Sequence, residues 1–339
     1  MSDTSHFHVF IPEVFAPLAL WRQDFSFEAD SPALMALLAK YQHRSIPVKG
    51  LERSVLHWLG VDVSAQLPWA ALRHQFESDG MYDLPLMCAD PVFMRTGSDT
   101  VELDLQPPEL SREEVEKLLA SLNKHLAQDG LVLKAFHPQR WYLYQLDDSF
   151  SRDLPVTTPL SEAGVGNVFP YLPQSSDKYW AQLFNELQML LHTQPVNQQR
   201  EAKGLPPVNG LWLWGEGSAG NTDLKPVSAV YGGGLCGQVV AKWVGVSWSP
   251  KVALGRMVQP GNVLVIPDQL LQPALSEYPE SWQAALSGLE GIFSELLAEQ
   301  RAGHCEVSLY DAAGNSWLCQ QRGRWPFGGR KMAVWSEFA

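Results

Sequence analysis

The chain has 339 residues, 45% of them apolar and 18% charged, and a formal net charge of −12. That acidic balance argues against a surface built to neutralise nucleic-acid phosphates or to adsorb on an anionic membrane, and no apolar run reaches the roughly 18 residues of a spanning helix. The length exceeds one ordinary core and predicts either two domains or a core domain with a subdomain.

The N-terminus "MSDTSHFHVFIPEVF" lacks a basic start, and its apolar run is broken by Pro12 and Glu13. It therefore does not read as a signal peptide, and the expected location is cytoplasmic. Cys88, Cys236, Cys305 and Cys319 form no close pair and read as reduced, packed thiols.

In chain order, "FHVFI" predicts a short strand ended by Pro12. "SPALMALLAKY" predicts a helix with Ser31 as N-cap and Pro32 at its first position, and "RSVLHWLG" and "WAALRHQFE" predict two more short helices. "TVELDL" alternates as a half-buried strand does. In "SREEVEKLLASLNKHLAQDG", Ser111 and Glu114 form a capping box, and Val115, Leu118, Leu122 and Leu126 recur at helical spacing up to Gly130. "LVLKAF" and "WYLYQL" flank "HPQR" as a hairpin.

A polar stretch from Asp147 to Asn167 marks a boundary, and "DKYWAQLFNELQMLLHTQ" is an amphipathic helix. "LWLW", at Leu211–Trp214, is apolar on both faces and predicts a central strand of a parallel sheet. "KPVSAVYGGGLCGQVVAKWVGV" predicts strand, glycine turn and helix, and "NVLVIP" a buried strand. A long helix starts near Ser281, and "CEVSLYDAAGNSWLCQ" closes as a hairpin. The expected fold class is α/β: a mostly parallel sheet flanked by helices, with an inserted α+β subdomain. The expected domains are 1–88 with 149–339 for the core and 89–148 for the insertion.

Local chemical motifs are sparse. The glycines of "YGGGLCGQVV" suit either anion binding at a helix N-terminus or a tight turn with close helix–sheet packing. The nine histidines are scattered, with only His6 and His8 two apart, and no metal ligand set or GxSxG elbow is present. Arg322, Arg324, Arg330 and Lys331 alternate with Trp325, Phe327 and Trp335 in the tail. Such interleaving can bind single strands, but on this acidic chain a cap or partner surface is expected instead.

One long stretch is more specific. "LLHTQPVNQQREAKGLPPVNGLWLWGEG", followed by "KPVSAVYGGGLCGQV", resembles the archaeal-type cofactor-independent phosphoglycerate mutases of the alkaline-phosphatase superfamily. "PVFMRTGSDTVELDL" and "LSREEVEKLLASLNKHL" are similar to their inserted substrate-binding subdomain. The RpfE-type bacterial regulatory proteins are closer still, sharing "ADPV", "NELQMLLH", "REAKGLPPVN" and "LWLWG", from about Leu84 to Val246.

Measured against the mutases, the departures fall on chemistry. The resemblance puts a metal-binding Asp where this chain has Glu13 and a nucleophilic Ser where it has Leu51, with Ser54 three residues off. "TTPLSEAG" replaces their Pro-His-Asp, and their C-terminal Asp and His motifs have no counterpart after Val246. A two-metal phosphoryl-transfer centre depends on those groups. The resemblance therefore implies a non-catalytic regulatory or partner-binding protein, with no catalytic residue, no metal and no cofactor. The expected partners are a protein and an acidic or phosphorylated metabolite. Arg95, Arg140, Asn197, Arg200, Asn209 and Trp214 are the candidates for a residual small-anion pocket. The alternative is a metal-dependent phosphoglycerate mutase or phosphatase with rearranged ligands, which requires Glu13, Asp62, Asp268 or His304 to converge.

Overall fold

The computed structural model describes residues 4–78, 85–96, 100–104, 107–146, 150, 152–163, 168–173, 177–218, 223–252, 260–319 and 335–338. In chain order the elements begin with β1 (Ser5–Phe10), α1 (Leu18–Phe25), α2 (Pro32–Leu37), β2 (Tyr41–Ser45) and α3 (Leu51–Leu59). Next come α4 (Trp69–Ser78), β3 (Met87–Val92), β4 (Met94–Thr96), β5 (Val101–Leu103), α5 (Arg112–Leu126), β6 (Leu131–His137) and β7 (Arg140–Gln145). Then follow α6 (Leu160–Ala163), α7 (Lys178–His192), α8 (Pro195–Ala202) and β8 (Gly210–Trp214). The chain continues with β9 (Ala229–Gly232), α9 (Gly234–Val244), β10 (Ser247–Ser249), β11 (Gly261–Ile266), α10 (Leu271–Leu275), α11 (Pro279–Ala302), β12 (Cys305–Tyr310) and β13 (Asn315–Cys319).

Two compact units emerge, one from Met1–Val61 with Asp223–Ala339 and one from Asp62–Thr222. In the first, seven strands run in the order β10-β9-β11-β1-β12-β13-β2. Every pair from β10 to β12 is parallel, and the β12–β13 and β13–β2 pairs are antiparallel. This is the expected mostly parallel sheet flanked by helices. Alternation sends Phe7, Val9 and Ile11 to one face, where they pack with Trp21 of α1, Leu34 of α2 and Trp282, Leu286 and Phe293 of α11. On the opposite face Trp58 of α3 lies against His8 and Phe10.

The glycine turn after β9 has a packing cause. A Cβ on Gly232 would lie 2.5 Å from the Ile266 carbonyl oxygen, and one on Gly237 would lie 2.1 Å from that of Gly232. Gly237→Ala is expected to cost about 1–3 kcal/mol by overpacking. Gly288→Ala in exposed α11 meets nothing within 4 Å. It should instead gain up to about 1 kcal/mol. Urea denaturation of the two variants checks the contrast.

In the second unit, β6-β7-β3-β8 form an antiparallel sheet, beside the small pair β4-β5. The capping box forms as expected: the Glu114 N–H donates to Ser111 Oγ at 3.3 Å, and the Ser111 N–H donates to Glu114 Oε2 at 2.8 Å. "LWLW" is a correction. It becomes β8, the edge strand, antiparallel to β3. Its double apolar face follows from burial on both sides: Leu211 and Leu213 join the core under α5 and α7, while Trp212 caps the Thr158 carbonyl and Trp214 stacks near Trp69. Because β3, β7 and β8 share one sheet, this unit reaches beyond 89–148 on both sides. The aromatic-basic tail lies outside the described residues, apart from Trp335. Among the described residues no helix is long and apolar enough to cross a membrane.

Candidate functional site

In open α/β sheets, ligands bind beyond the carboxyl ends of the strands. In the first unit those ends bring up Glu13 after β1, Asp268 after β11, Asp311 after β12 and Gly233 after β9. Glu13 and Asp311 are tied through the backbone, the Glu13 N–H donating to the Asp311 carbonyl at 3.3 Å. Glu13 also sits in the left-handed region, φ 61°, and its carbonyl accepts from Trp282 Nε1 at 3.0 Å.

The electrostatics of this edge follow from burial. Burial, and secondarily the Asp311 charge, push the Glu13 carboxyl up to about 7. Asp311 and Asp268 are also pushed up by burial. Asp311 is engaged in its turn: Oδ1 accepts from the N–H groups of Ala313 and Asn315 at 2.8 and 3.0 Å, and Oδ2 accepts from Asn315 Nδ2 at 2.9 Å. Cys236 is buried with its thiol pushed well up, so it carries no reactive thiolate. Glu13 is thus the group here able to hold or release a proton near neutrality.

A sign follows. A carboxyl with a raised folded pKa binds its proton more tightly in the native state, so stability is greatest below the unfolded value of 4.5 and falls as pH rises to about 7. Asp311 acts with the same sign. Glu13→Gln is expected to flatten that fall and to melt above the wild type at pH 8 but not at pH 4. Thermal melts across that range check it.

The donors at this edge do not fit a two-metal centre. Both Asp311 oxygens accept hydrogen bonds within the turn, and among the described residues no three His, Cys, Asp or Glu side chains gather as a metal set. His304 precedes β12, whose Cys305 pairs with Ser5, while Glu13 lies beyond the opposite end of β1. Five strand steps at ~3.3 Å separate those ends, so His304 cannot share an ion with Glu13 or Asp268. Asp62 belongs to the second unit, where Oδ1 accepts from the Ser64 N–H at 3.0 Å and its hydroxyl at 2.6 Å. Leu51, in the expected serine position, is buried in the first turn of α3. Ser54 is 1% exposed, and its Oγ has no partner among the described residues, so it cannot meet a substrate.

The six anion-pocket candidates lie in the second unit. Asn197 Nδ2 donates to the carbonyls of Leu191 and Val208 at 2.7 and 2.6 Å, and its Oδ1 accepts the Val208 N–H at 2.9 Å. Asn209 clasps the backbone of Met94 in the same way. Arg200 is buried and donates to the carbonyls of Pro206 and Glu109 and to Glu114 Oε1 at 3.0 Å. Arg140 pairs with Glu77. Arg95 keeps an exposed guanidinium, 66% accessible, 3.3 Å from Asp104. Trp214 Nε1 donates to Asp90 Oδ2 at 2.8 Å. Asn197, Arg200 and Asn209 therefore pin the chain leading into β8, while Arg140 and Trp214 border a buried network.

That network was not anticipated. Arg73 of α4 donates twice to Asp90 of β3, at 2.7 and 2.8 Å, and also to Tyr142 Oη at 3.0 Å and the Trp141 carbonyl at 3.0 Å. Tyr142 in turn donates to Glu77. The signal available beforehand was the charge inside the apolar "CADPV" strand. The two-residue spacing of His6 and His8 on a strand puts both on one face.

No family model matches the chain. It is 28% identical over 140 residues to the 2,3-bisphosphoglycerate-independent phosphoglycerate mutase of Methanosarcina barkeri and 26% identical over 140 residues to that of Methanosarcina mazei. Each alignment covers 39% of this chain and 34% of the relative, so the chain spans about a third of the length of the curated relatives it matches. In fold it is similar to the PH0037 protein of Pyrococcus horikoshii, with a TM-score of 0.53 at 14% identity over 95% of this chain and 88% of that one. The partial sequence likeness and the doubly covered parallel sheet support a phosphoglycerate-mutase-like scaffold.

Proposed function

We propose that this chain is a non-catalytic regulatory or partner-binding protein of the RpfE type, bacterial and cytoplasmic, on a phosphoglycerate-mutase-like scaffold. The observation that carries the reading is the identity of the groups at the carboxyl edge of the sheet. Leu51 stands where the resemblance requires a nucleophile, and Ser54, three residues on, is sealed in the core at 1% exposure. A phosphoryl group arriving there meets carboxylates and, among the described residues, no accessible serine at the position the resemblance requires. The partner is a protein, with an acidic or phosphorylated metabolite as a further ligand. Arg95 is the candidate cation most open to such an anion.

The test is a phosphoglycerate mutase assay on purified protein in the presence of Mn²⁺ and Zn²⁺, beside elemental analysis and calorimetry with 3-phosphoglycerate. No interconversion is expected. Turnover together with bound metal overturns the proposal.

One observation favours the alternative, a metal-dependent mutase or phosphatase with rearranged ligands. Glu13, Asp268 and Asp311 follow adjacent strands β1, β11 and β12 at the same sheet edge. In that case Asp268→Asn would abolish turnover and metal retention together.

A further inference from the structure

At the opposite edge of the same sheet, three strands begin in register, and their side chains form ordered rows. His6 lies between Asn262 of β11 and Glu306 of β12, and two residues further along His8 lies between Leu264 and Ser308. Paired residues in neighbouring strands share a face, so His6, Asn262 and Glu306 point the same way. Polar side chains on the central strands of a parallel sheet, with His8 and Ser308 buried, are unusual, since such strands are ordinarily apolar throughout.

The inner part of the row is fixed. Asn262 Nδ2 donates to the Pro226 carbonyl at 2.9 Å, which leaves its Oδ1 as the acceptor facing His8. His8 Nε2 must then carry the proton it donates at 3.1 Å, and Nδ1 accepts from the Tyr310 hydroxyl at 3.1 Å. Burial pushes the His8 pKa down to about 3, consistent with a neutral ring holding one tautomer. His6 stacks on this ring, centroids 4.0 Å apart, with Nε2 2.9 Å from Ser308 Oγ.

The outer part is incomplete. His6 Nδ1 faces Glu306 Oε2 at 3.7 Å, too far for a hydrogen bond. Burial, outweighing the Glu306 charge, lowers the His6 pKa and favours its neutral ring. Beside it opens a cavity of about 380 Å³ lined by Thr4, Ser5, His6, Asn262 and Glu306. That volume is in the range of small-molecule sites. Lys225 is engaged over the Trp58 ring at 5.1 Å and acts on His8.

We propose that this cavity binds a small organic cation, a primary ammonium on a short polar frame, with Glu306 as counter-charge and His6 Nδ1 as acceptor. An ammonium donor placed between the two would bridge their gap with charge-assisted hydrogen bonds. The fixed His8–Asn262–Tyr310 row keeps the His6 ring in place for it. The site is independent of the carboxyl-edge reading, being lined by different residues at the other end of the strands.

The experiment is an NMR titration of the His6 ring signals with three probes of matched size: ethanolamine, ethylene glycol and glycolate. Ethanolamine should give a saturable shift in the millimolar range, whereas the neutral and anionic probes should not. Glu306→Gln, at a side chain 61% exposed, should keep the wild-type melting temperature and weaken ethanolamine binding about tenfold or more. No saturable shift, equal shifts from all three probes, or a shift undiminished in Glu306→Gln would overturn the proposal.

Discussion

Asp90→Ala is expected to destabilise the protein by about 3–5 kcal/mol, the cost of stranding a buried charge. Arg73 is 2% exposed, and Asp90 is its charged partner in a bidentate pair. Asp90 also accepts from Trp214 Nε1 at 2.8 Å and from the Trp141 N–H at 3.2 Å, so truncation strands three residues' donors at once. Water cannot repair the loss, because Tyr142, Trp141 and Trp214 close the site. Arg73→Met combined with Asp90→Leu should cost less than the sum of the two single variants, since it removes both charges together. Urea unfolding of the wild type, the two singles and the double measures the coupling. A loss below about 1 kcal/mol for Asp90→Ala would mean that solvent reaches Arg73.

The second large effect is expected at Asn197. Asn197→Ala leaves the Val208 N–H without an acceptor and two carbonyls without a donor, all at a side chain 2% exposed. About 2–4 kcal/mol should be lost, because unsatisfied buried groups cost about 1–3 kcal/mol each and are not additive. Asn197→Asp should fare no better, since it sets a carboxylate against two carbonyl oxygens. Arg95→Ala, at an exposed ion pair, should fall within about 0.5 kcal/mol of the wild type. Urea midpoints that order the variants this way separate the chain-pinning residues of the candidate pocket from the one whose charge is open to solvent.

What could be read in advance followed from local rules. The capping box at Ser111, the hairpin turning at Asp311, the strand–glycine–helix at 229–244 and the buried strand at 261–266 each carry their own turn chemistry or period, and each forms. What could not be read depends on distant partners. Helix α2 stops at Leu37 because Tyr41 is taken into the sheet opposite Cys319. The direction of "LWLW" was hidden because burial of both faces looks the same in a central parallel strand and a covered antiparallel edge. The segment 195–202, whose polar sequence carries no clear apolar period, is α8, opened by Pro195 at its first position.

The candidate site was legible as residue types more than as roles. Asn197, Arg200 and Asn209 stand out in "PVNQQREAKGLPPVN", but only the fold shows which main-chain groups they hold. Arg73 and Asp90 are 17 positions apart and join only when α4 lies against β3.

The order of the seven-stranded sheet also governs how the chain emerges from a ribosome. Its central strand is made first, yet the neighbours of that strand, β11 and β12, start at Gly261 and Cys305. Until those are synthesised, Phe7 and Val9 have no sheet to join and remain open to chaperones or to neighbouring nascent chains. Residues 62–222, by contrast, are contiguous and can close their core while synthesis continues. The late closure of long-range parallel pairs is expected to make the first unit the slower to fold, and a premature stop anywhere before Gly261 leaves β1 without a partner on either side.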